Sequence, residues 1–164
     1  MQCMYEYQSP LGKMTMTGVD DCLTGLWFEG QKYFGSTMQR QCEKGLLPVL
    51  RQTICWLDCY FKGTEPTFTP ALRLEGSPFQ LCVWEILRTI PYGFTMTYGE
   101  IAREVASCMG IDTMAAQAVG GAVGRNPISI IIPCHRVLGS KGSLTGYAGG
   151  VERKLYLLEL EHIH

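Results

Sequence analysis

The hydrophobic pattern of this 164-residue chain changes once, at the segment 64–76, which carries Pro66 and Pro70. Before that segment, apolar and polar residues alternate as in paired strands, and one stretch of helical periodicity follows them. After it, most apolar residues recur at helical spacing. The pattern predicts an α/β N-terminal lobe over residues 1–76, formed by a small antiparallel sheet plus a helix. It predicts a mainly α-helical C-terminal lobe over residues 77–164.

Turn-forming residues separate the predicted strands of the first lobe. The strand-like stretches are Met4–Gln8, Lys13–Thr17 and Leu23–Phe28. Between them lie Ser9-Pro10-Leu11-Gly12 and Asp20-Asp21, which favour turns. The helix of this lobe is predicted from five apolar residues at helical spacing, Leu47, Leu50, Ile54, Leu57 and Phe61. Lys62-Gly63 is expected to end it.

The second lobe opens with a helix signal, because Ser77 can cap a helix whose first position is Pro78. Pro91-Tyr92-Gly93 is expected to break that helix. Its predicted buried stripe consists of Phe79, Val83, Trp84 and Leu87.

Two further short helices predict a helix-turn-helix of winged-helix-like type. Thr97 and Glu100 form a capping box, which places Tyr98 at the start of the first of these helices. Asp112 can cap the second, predicted from Met114 to about Gly124. That second helix has small side chains, and each interior glycine costs about 1 kcal/mol relative to alanine. We expect its backbone either to approach another surface closely or to pack tightly against a neighbouring helix.

The segment 133–137, Pro-Cys-His-Arg-Val, carries the chemistry of the chain. A thiol attacks as the thiolate, so a reactive cysteine needs neighbours that favour the anion, such as an imidazole or a cation. Cys134 follows a rigid proline and has His135 directly behind it. A lone cysteine is more often a buried structural residue, and these neighbours favour a nucleophile instead.

Composition narrows the classes of function. Eight cysteines, without a secretion signal at the start of the chain, indicate free thiols in a reducing compartment, and we expect a cytoplasmic protein. The spacing of cysteines and histidines argues against a zinc site, so no metal or other cofactor is expected. No apolar run approaches the ~18 residues of a membrane span. A net charge of −1 argues mildly against DNA binding, which usually uses a basic face.

Seven stretches resemble, in order, the O6-alkylguanine-DNA alkyltransferase family, also called the methylated-DNA–protein-cysteine methyltransferases. They are Phe79-Gln80-x-x-Val83-Trp84, Ile90-Pro91-x-Gly93-x-Thr95, Tyr98-Gly99-x-Ile101-Ala102, Ala118-Val119-Gly120-Gly121-Ala122, Asn126-Pro127, Ile132-Pro133-Cys134-His135-Arg136-Val137 and Gly146-Tyr147-Ala148-Gly149-Gly150. Ser9-Pro10-Leu11-Gly12 also fits the family's N-terminal lobe, so the resemblance covers nearly the whole chain. A single motif of this kind would be weak, whereas the ordered series is specific.

The resemblance implies DNA repair by a single irreversible transfer. An alkyl group on guanine O6 cannot meet a protein nucleophile while the base is stacked, so the base is flipped out. The Cys134 thiolate then attacks in line and keeps the alkyl group as a thioether, which consumes the protein. By the same resemblance, Glu161 orients His135, and His135 deprotonates Cys134 through a bridging water.

The resemblance also implies residues around the substrate base. Tyr98 would help to rotate the nucleotide and would hydrogen-bond the leaving guanine. Tyr147 and Ala148 would wall the alkyl pocket. The Val137 carbonyl and the Ala148 amide would contact the purine edges, with Ser140 close by.

The implied partner is double-stranded DNA containing O6-alkylguanine, bound by a monomer through the minor groove. The small-sided helix would enter that groove, and Asn126 would hold the helix to the thiol segment by hydrogen bonds. Helix starts and backbone amides can hold phosphates without basic side chains. The residues expected at the DNA are Thr95, Tyr98, Ala115, Gln117, Gly120, Gly121 and Arg125.

Two positions depart from the family pattern. Gln117 stands where many relatives carry an arginine that fills the space left by the flipped base. An amide can still hydrogen-bond the orphaned pyrimidine, but it is shorter and uncharged. Val19 lies where some relatives have a zinc-binding cysteine, which agrees with the expected absence of a metal.

Three other functions are compatible with parts of the pattern. A cysteine hydrolase would use Cys134, His135 and Glu161 with turnover, although an adjacent nucleophile and base rarely face each other and no oxyanion-hole signature is present. A non-catalytic binder of DNA lesions would lack the acceptor cysteine. A helix-turn-helix regulator would leave the thiol unexplained.

Overall fold

The computed structural model describes residues 1–162 and divides the chain into two compact units. The first contains Met1–Leu74 together with Pro127–Ser129. The second contains Glu75–Asn126 and the chain from Ile130 onward. Among the helices of the described residues, none is both long and apolar enough to cross a lipid bilayer.

The first unit is built on a four-stranded sheet with the order β3-β2-β1-β4. Its strands are β1 (Gln2–Ser9), β2 (Gly12–Val19), β3 (Cys22–Phe28) and β4 (Cys42–Lys44). The first three are antiparallel, as the alternation predicted, whereas β4 pairs in parallel with β1. The sequence did not indicate β4, because a three-residue strand is too short to show a periodicity.

Helix α1 (Pro48–Phe61) packs against β2 and β3 and ends before Lys62-Gly63, as predicted. Leu50 and Leu57 on its inner face are fully buried. Burial of a leucine side chain contributes about 2 kcal/mol, so this face holds the helix on the sheet. The approach is closest at Gly18, where a Cβ atom would lie 3.1 Å from side-chain carbons of Leu50 and Val49.

The three residues Pro127–Ser129 lie along β3. The Leu26 amide donates a hydrogen bond to the Pro127 carbonyl at 2.9 Å, and the Ser129 amide donates to the Leu26 carbonyl at 2.9 Å. The Ser129 hydroxyl lies 3.1 Å from Oε1 of Gln31. The backbone just before the thiol segment is therefore fixed by hydrogen bonds on both sides of Ile128.

The second unit is mainly helical, as predicted. Its helices are α2 (Pro78–Arg88), α3 (Tyr98–Met109), α4 (Ala116–Gly124) and α5 (Val151–Leu160). Two-residue strands, β5 (Met96–Thr97) and β6 (Val137–Leu138), pair in parallel, and short 3-10 turns occur at Cys134–Arg136 and Ser140–Gly142.

Side-chain caps fix the starts of α2 and α3. The Ser77 hydroxyl accepts the Gln80 amide at 3.1 Å, and the Gln80 side chain accepts the Ser77 amide at 3.1 Å. Thr97 and Glu100 form the predicted capping box with the same two distances of 3.1 Å. A cap of this kind contributes about 1 kcal/mol. Tyr98 is consequently held as the first residue of α3.

Helices α3 and α4 pack against each other and against α2. The predicted stripe of α2 is confirmed for Val83, Trp84 and Leu87, which are buried, while Phe79 is only half-buried. The Trp84 indole N–H donates to the Ala122 carbonyl at 3.0 Å. This bond attaches α4 to the helix behind it.

The predicted start of the second helix of the pair is wrong. Helix α4 begins at Ala116, with Ala115 at the N-cap position and no side-chain cap. Asp112 is exposed and lies outside the helix. Helix α3 ends at Met109, and Gly110 after it has a φ of 68°. The chain from Gly110 to Ala115 is irregular, so Asp112 lies too far upstream to reach the first amides of α4.

Candidate active site

Cys134 is presented by a rigid stretch of backbone. Pro133 has a φ of −82° and a ψ of 64°, the values of an inverse γ-turn, and the Cys134 amide donates to the Ile132 carbonyl at 2.8 Å. The proline ring restricts φ to this region, so the residue suits the turn. Ile130, three residues before Pro133, has a φ of 69°, a rare value for a β-branched residue.

Asn126 connects the end of α4 to this turn. Its side-chain amide donates to the Ile132 carbonyl at 2.8 Å, in a buried environment. Burial raises the pKa of the Cys134 thiol, and a hydrogen bond with the Asn126 side chain is the largest of the effects that lower it. Asn126 therefore holds the backbone that shapes the turn, and its side chain also lowers the pKa of the thiol that the turn presents.

The Cys134 side chain lies among groups that stabilise its anion, although its residue is only 4% exposed. Burial raises the pKa of the thiol, whereas hydrogen bonds with Asn126 and Tyr147 and the charge of Lys154 lower it. Burial prevails, so the sulfur is protonated at neutral pH in the resting molecule. Ionisation then requires a base.

His135 can act as that base. Its Nε2 lies 2.6 Å from Oε2 of Glu161, and both side chains are fully buried. Burial lowers the pKa of His135, although Glu161 acts in the opposite direction, so the ring is neutral at pH 7. Because the carboxylate accepts the hydrogen bond, Nε2 carries the proton and Nδ1 holds the lone pair. The ring is thereby oriented to accept a proton at Nδ1.

Glu161 is held ionised by its neighbours. Burial raises the pKa of its carboxyl, but hydrogen bonds from His135 and Arg136 and the charge of Arg136 outweigh burial and hold the pKa at about 2. Arg136 donates from Nε to Oε1 at 2.8 Å and from Nη2 to Oε2 at 3.2 Å. The Gly93 amide donates to Oε1 at 3.2 Å. A two-point guanidinium contact of this kind fixes the carboxylate in direction as well as in charge.

Arg136 and Lys154 are two site residues that the sequence did not single out. Arg136 also donates from Nη1 to the Ile90 carbonyl at 2.7 Å, so its role depends on contacts with distant segments. Lys154 is fully buried, and its Nζ donates to the Thr145 carbonyl at 3.3 Å. The spacing of residues on α5 could have indicated that Lys154 is buried. Lys154 lies three and four positions before Leu157 and Leu158, so it shares the buried face of the helix with them.

Tyr98 lies close enough to Cys134 for the thiolate charge to affect it. Burial raises the pKa of the Tyr98 phenol, a hydrogen bond with the Thr145 side chain lowers it, and Cys134 raises it. The Tyr98 ring also lies against α4, where a Cβ atom on Gly120 would be 3.7 Å from it. Gly121, in contrast, faces open space. One glycine of the small-sided helix therefore contacts a neighbouring side chain, and the other leaves backbone exposed.

The described residues bring together six of the predicted site residues, Cys134, His135, Glu161, Asn126, Tyr98 and Tyr147. Val137 is buried on β6, Ala148 is half-buried, and Ser140 is exposed on the loop after β6. Of the residues expected at the DNA, Thr95 is half-buried and Ala115, Gln117, Gly121 and Arg125 are exposed along or beside α4. The four exposed residues form a surface along α4 and are not among the residues around the Cys134 sulfur.

The cysteines and acidic residues do not form a metal centre in the described part of the chain. Among residues 1–162, no group of three or more histidine, cysteine, aspartate or glutamate side chains is placed to hold a metal ion. The cysteines are free thiols, as predicted.

Replacing Asn126 by alanine is expected to lower the free energy of unfolding by about 2 kcal/mol, because a buried carbonyl loses a hydrogen-bond partner. Urea denaturation followed by circular dichroism measures this. Arg125→Ala, at the exposed neighbouring position, is the control and should change stability by less than ~0.5 kcal/mol. Equal effects of the two substitutions would contradict the role given to the Asn126 amide.

Two family models match the chain. The 6-O-methylguanine DNA methyltransferase DNA-binding domain matches residues 78–163, and the ribonuclease-like domain of the same enzymes matches residues 4–75. The chain therefore belongs to the 6-O-methylguanine DNA methyltransferase family.

Individual relatives agree with this assignment. The methylated-DNA–protein-cysteine methyltransferase of Mycobacterium leprae is 46% identical, over 93% of this chain and 88% of that protein. The Haemophilus influenzae enzyme of the same name is 40% identical, over 96% of this chain and 84% of its own length. The crystal structure of Mycobacterium tuberculosis OGT in complex with DNA superposes with a TM-score of 0.84 at 42% identity, covering 97% of this chain and 92% of that one. The family and the fold class predicted from the sequence are confirmed.

Proposed function

We propose that this chain repairs DNA by moving an alkyl group, typically methyl, from O6 of guanine to the sulfur of Cys134, once per molecule. Membership of the family makes the chain an enzyme of the methylated-DNA–protein-cysteine methyltransferase class. The finer proposal is carried by one observation. Cys134 is buried and is followed directly by His135, whose Nε2 lies 2.6 Å from the Glu161 carboxylate.

Cys134 loses its proton before its sulfur attacks the alkyl carbon. His135 takes the proton of Cys134 at Nδ1 through a bridging water, and the ionised Glu161 stabilises the imidazolium that results. The charge of Lys154 and the hydrogen bonds from Asn126 and Tyr147 stabilise the thiolate. Each group thus acts on a charge that exists only during the reaction.

The transfer itself is a displacement at carbon. The thiolate attacks the alkyl carbon in line, the sulfur–carbon bond forms and the carbon–oxygen bond breaks. The electron pair of that bond goes to guanine, whose developing negative charge receives a hydrogen bond from the Tyr98 hydroxyl. The product is a thioether with no activated leaving group, so the protein is consumed.

The exposed surface of α4 supports contact with the minor groove of double-stranded DNA. Exposed positions at its N-cap and along it include Ala115, Gln117 and Gly121, whose small or uncharged side chains allow the backbone to come close. The helix begins without a side-chain cap, so its first amides are able to bind a phosphate. Flipping of the damaged guanine would then bring its alkyl group to the thiol.

We further infer that a single copy of the chain is sufficient. The residues proposed for catalysis all belong to the second compact unit. We assign residues 77–164 as the DNA-binding and alkyl-acceptor domain and residues 1–76 as the N-terminal lobe, although Pro127–Ser129 belong to the first compact unit. A monomer working in the cytoplasm, where its thiols stay reduced, is consistent with the free cysteines.

Repair of a defined lesion tests the function. A duplex carrying one O6-methylguanine within a restriction site resists cleavage until the methyl group is removed. The fraction of cleavable DNA should rise linearly with added protein and reach one lesion repaired per molecule. Repeated turnover would favour a hydrolase, and a duplex that remains resistant at excess protein would exclude repair.

Replacing Gln117 by arginine is expected to tighten binding of duplex DNA by about tenfold, because the longer cationic side chain adds a phosphate or base contact. Fluorescence anisotropy at fixed salt measures the Kd. Gln52→Arg, an identical change at an exposed position of α1, is the matched control. Unchanged affinity of Gln117→Arg, or an equal gain in the control, would place Gln117 away from the DNA.

A further inference from the structure

The backbone conformation of Ile130 needs support from neighbouring residues. Its φ of 69° lies in the left-handed region, which a β-branched residue rarely adopts. Such a conformation persists only where the surrounding structure fixes the chain around it. Ile130 lies four residues before Cys134, so the contacts that fix this turn also determine where the sulfur lies.

Side-chain hydrogen bonds fix the chain on both sides of Ile130. On the side of the thiol, the Asn126 side-chain amide donates to the Ile132 carbonyl at 2.8 Å. On the other side, the Ser129 hydroxyl donates to Oε1 of Gln31 at 3.1 Å, in a buried environment. The first of these bonds holds the residue after the next, and the second holds the residue immediately before Ile130. The Gln31 side chain therefore supports the start of the turn.

Gln31 is itself held in one orientation. The residue is only 7% exposed, and its Oε1 also accepts the Phe28 amide at 2.8 Å, where β3 ends. The Gln31 amide in turn donates to the Phe28 carbonyl at 3.2 Å. Both Gln31 and Ser129 belong to the first compact unit, although they are 98 positions apart in the chain. The oxygen that Ser129 contacts is thus fixed to the end of a buried strand.

We propose that Gln31 is a positioning residue for the alkyl-acceptor thiol and acts through Ser129. The inference rests on the proposed function. Without the Gln31 oxygen, the Ser129 hydroxyl is released and Ile130 relaxes towards a negative φ, which displaces Cys134 from the alkyl carbon. In-line attack requires the reacting atoms to be close and aligned. The transfer rate should therefore fall, while the surface of α4 that is proposed to bind DNA is unaltered.

The experiment measures the single-turnover rate of methyl transfer by the full chain at saturating O6-methylguanine duplex. Ser129→Ala removes only the hydroxyl and should slow transfer about tenfold, because misplacing a reacting atom by about 1 Å costs on the order of 100-fold. Gln31→Met keeps the length of the side chain, removes its hydrogen-bonding atoms and should slow transfer at least as much. In the Gln31→Met background, Ser129→Ala should cause no further loss. The Kd for duplex DNA should stay within about twofold of the parent in all three variants.

Gln2 provides the matched control, because it is another buried glutamine of the same compact unit. Its Oε1 accepts the Gln39 amide at 2.7 Å, and its Nε2 donates to the Thr24 hydroxyl at 3.2 Å. Gln2→Met should lower the midpoint of urea denaturation and leave the transfer rate of the folded protein within about twofold of the parent. Gln31→Glu keeps an oxygen that accepts the Ser129 hydroxyl, so it should restore the rate to within about threefold of the parent, even though burial of the carboxylate lowers stability.

Two results would overturn the inference while leaving methyl transfer intact. The first is a rate for Ser129→Ala equal to that of the parent. The second is equal slowing by Gln31→Met and Gln2→Met, which would reduce the role of Gln31 to general stability. A parent protein that transfers no methyl group would overturn the proposed function and this inference together.

Discussion

Glu161→Gln is expected to lower the free energy of unfolding by about 3 kcal/mol at pH 7 and to slow methyl transfer at least ~100-fold. The amide has the size of the carboxylate but carries no charge, so Arg136 remains buried without its counter-charge. The same change removes the anion that orients His135 and stabilises its protonated form. Chemical denaturation and single-turnover transfer measure the two effects separately.

The pH dependence of stability tests the same residue in the parent protein. The pKa of Glu161 is about 2 in the folded chain, against an ordinary value of 4.5. Because folding lowers this pKa, the stabilisation is fully present above pH 4.5 and is lost as the pH falls towards about 2. Glu161→Gln should lack this component of acid destabilisation.

The control for Glu161 lies in the last turn of α5, the helix that Glu161 follows. Glu159 is exposed and two residues away, so Glu159→Gln should change stability by less than ~0.5 kcal/mol and leave methyl transfer at the parent rate. A Glu161→Gln variant as stable and as active as this control would show that the buried ion pair contributes nothing to the site.

Cys134→Ala is expected to abolish methyl transfer to the protein while leaving the affinity for lesion-bearing duplex within about twofold of the parent. The reaction has no acceptor without the sulfur, whereas the proposed DNA surface on α4 is unaltered. Transfer of a labelled methyl group from DNA measures the first effect, and anisotropy measures the second. Cys55→Ala, which removes an exposed thiol from α1, should react like the parent. Labelling that persists in Cys134→Ala would move the acceptor to another residue.

The resting thiol also has a chemical consequence. A protonated thiol reacts slowly with soluble electrophiles, since the thiolate is the nucleophile. Burial keeps Cys134 protonated, and the groups that lower its pKa lie ready around it. Under the proposed single transfer per molecule, this arrangement would hold the acceptor back until the lesion is in place.

Features encoded in short segments of the sequence were predicted well. The first three strands follow from alternation and turn residues, and the capping box of Thr97 and Glu100 is local by nature. Cys134 and His135, the proposed nucleophile and base, are adjacent in the chain. Glu161 came from the family resemblance, since a glutamate at a helix end has no local signal for burial.

The features that were missed depend on long-range contacts. Arg136 acquires its role from Ile90 and Glu161, which lie far from it in the chain. Lys154 is a charged residue on a buried face, where hydrophobic periodicity predicts an apolar one. The start predicted for α4 was wrong. Asp112 has a side chain suited to capping, but the helix begins four residues further on, at Ala116. Pattern reading therefore singles out Cys134 and His135 and misses the buried charges of Arg136 and Lys154.

The most direct test is the mass of the protein after reaction with DNA. The parent chain is incubated with an excess of duplex carrying O6-methylguanine, and the intact protein and its peptides are weighed. We expect every molecule to gain a single methyl group in place of a hydrogen, on the peptide and residue of Cys134. An unmodified protein after the lesion has been removed, or a methyl group on any other side chain, would contradict the account.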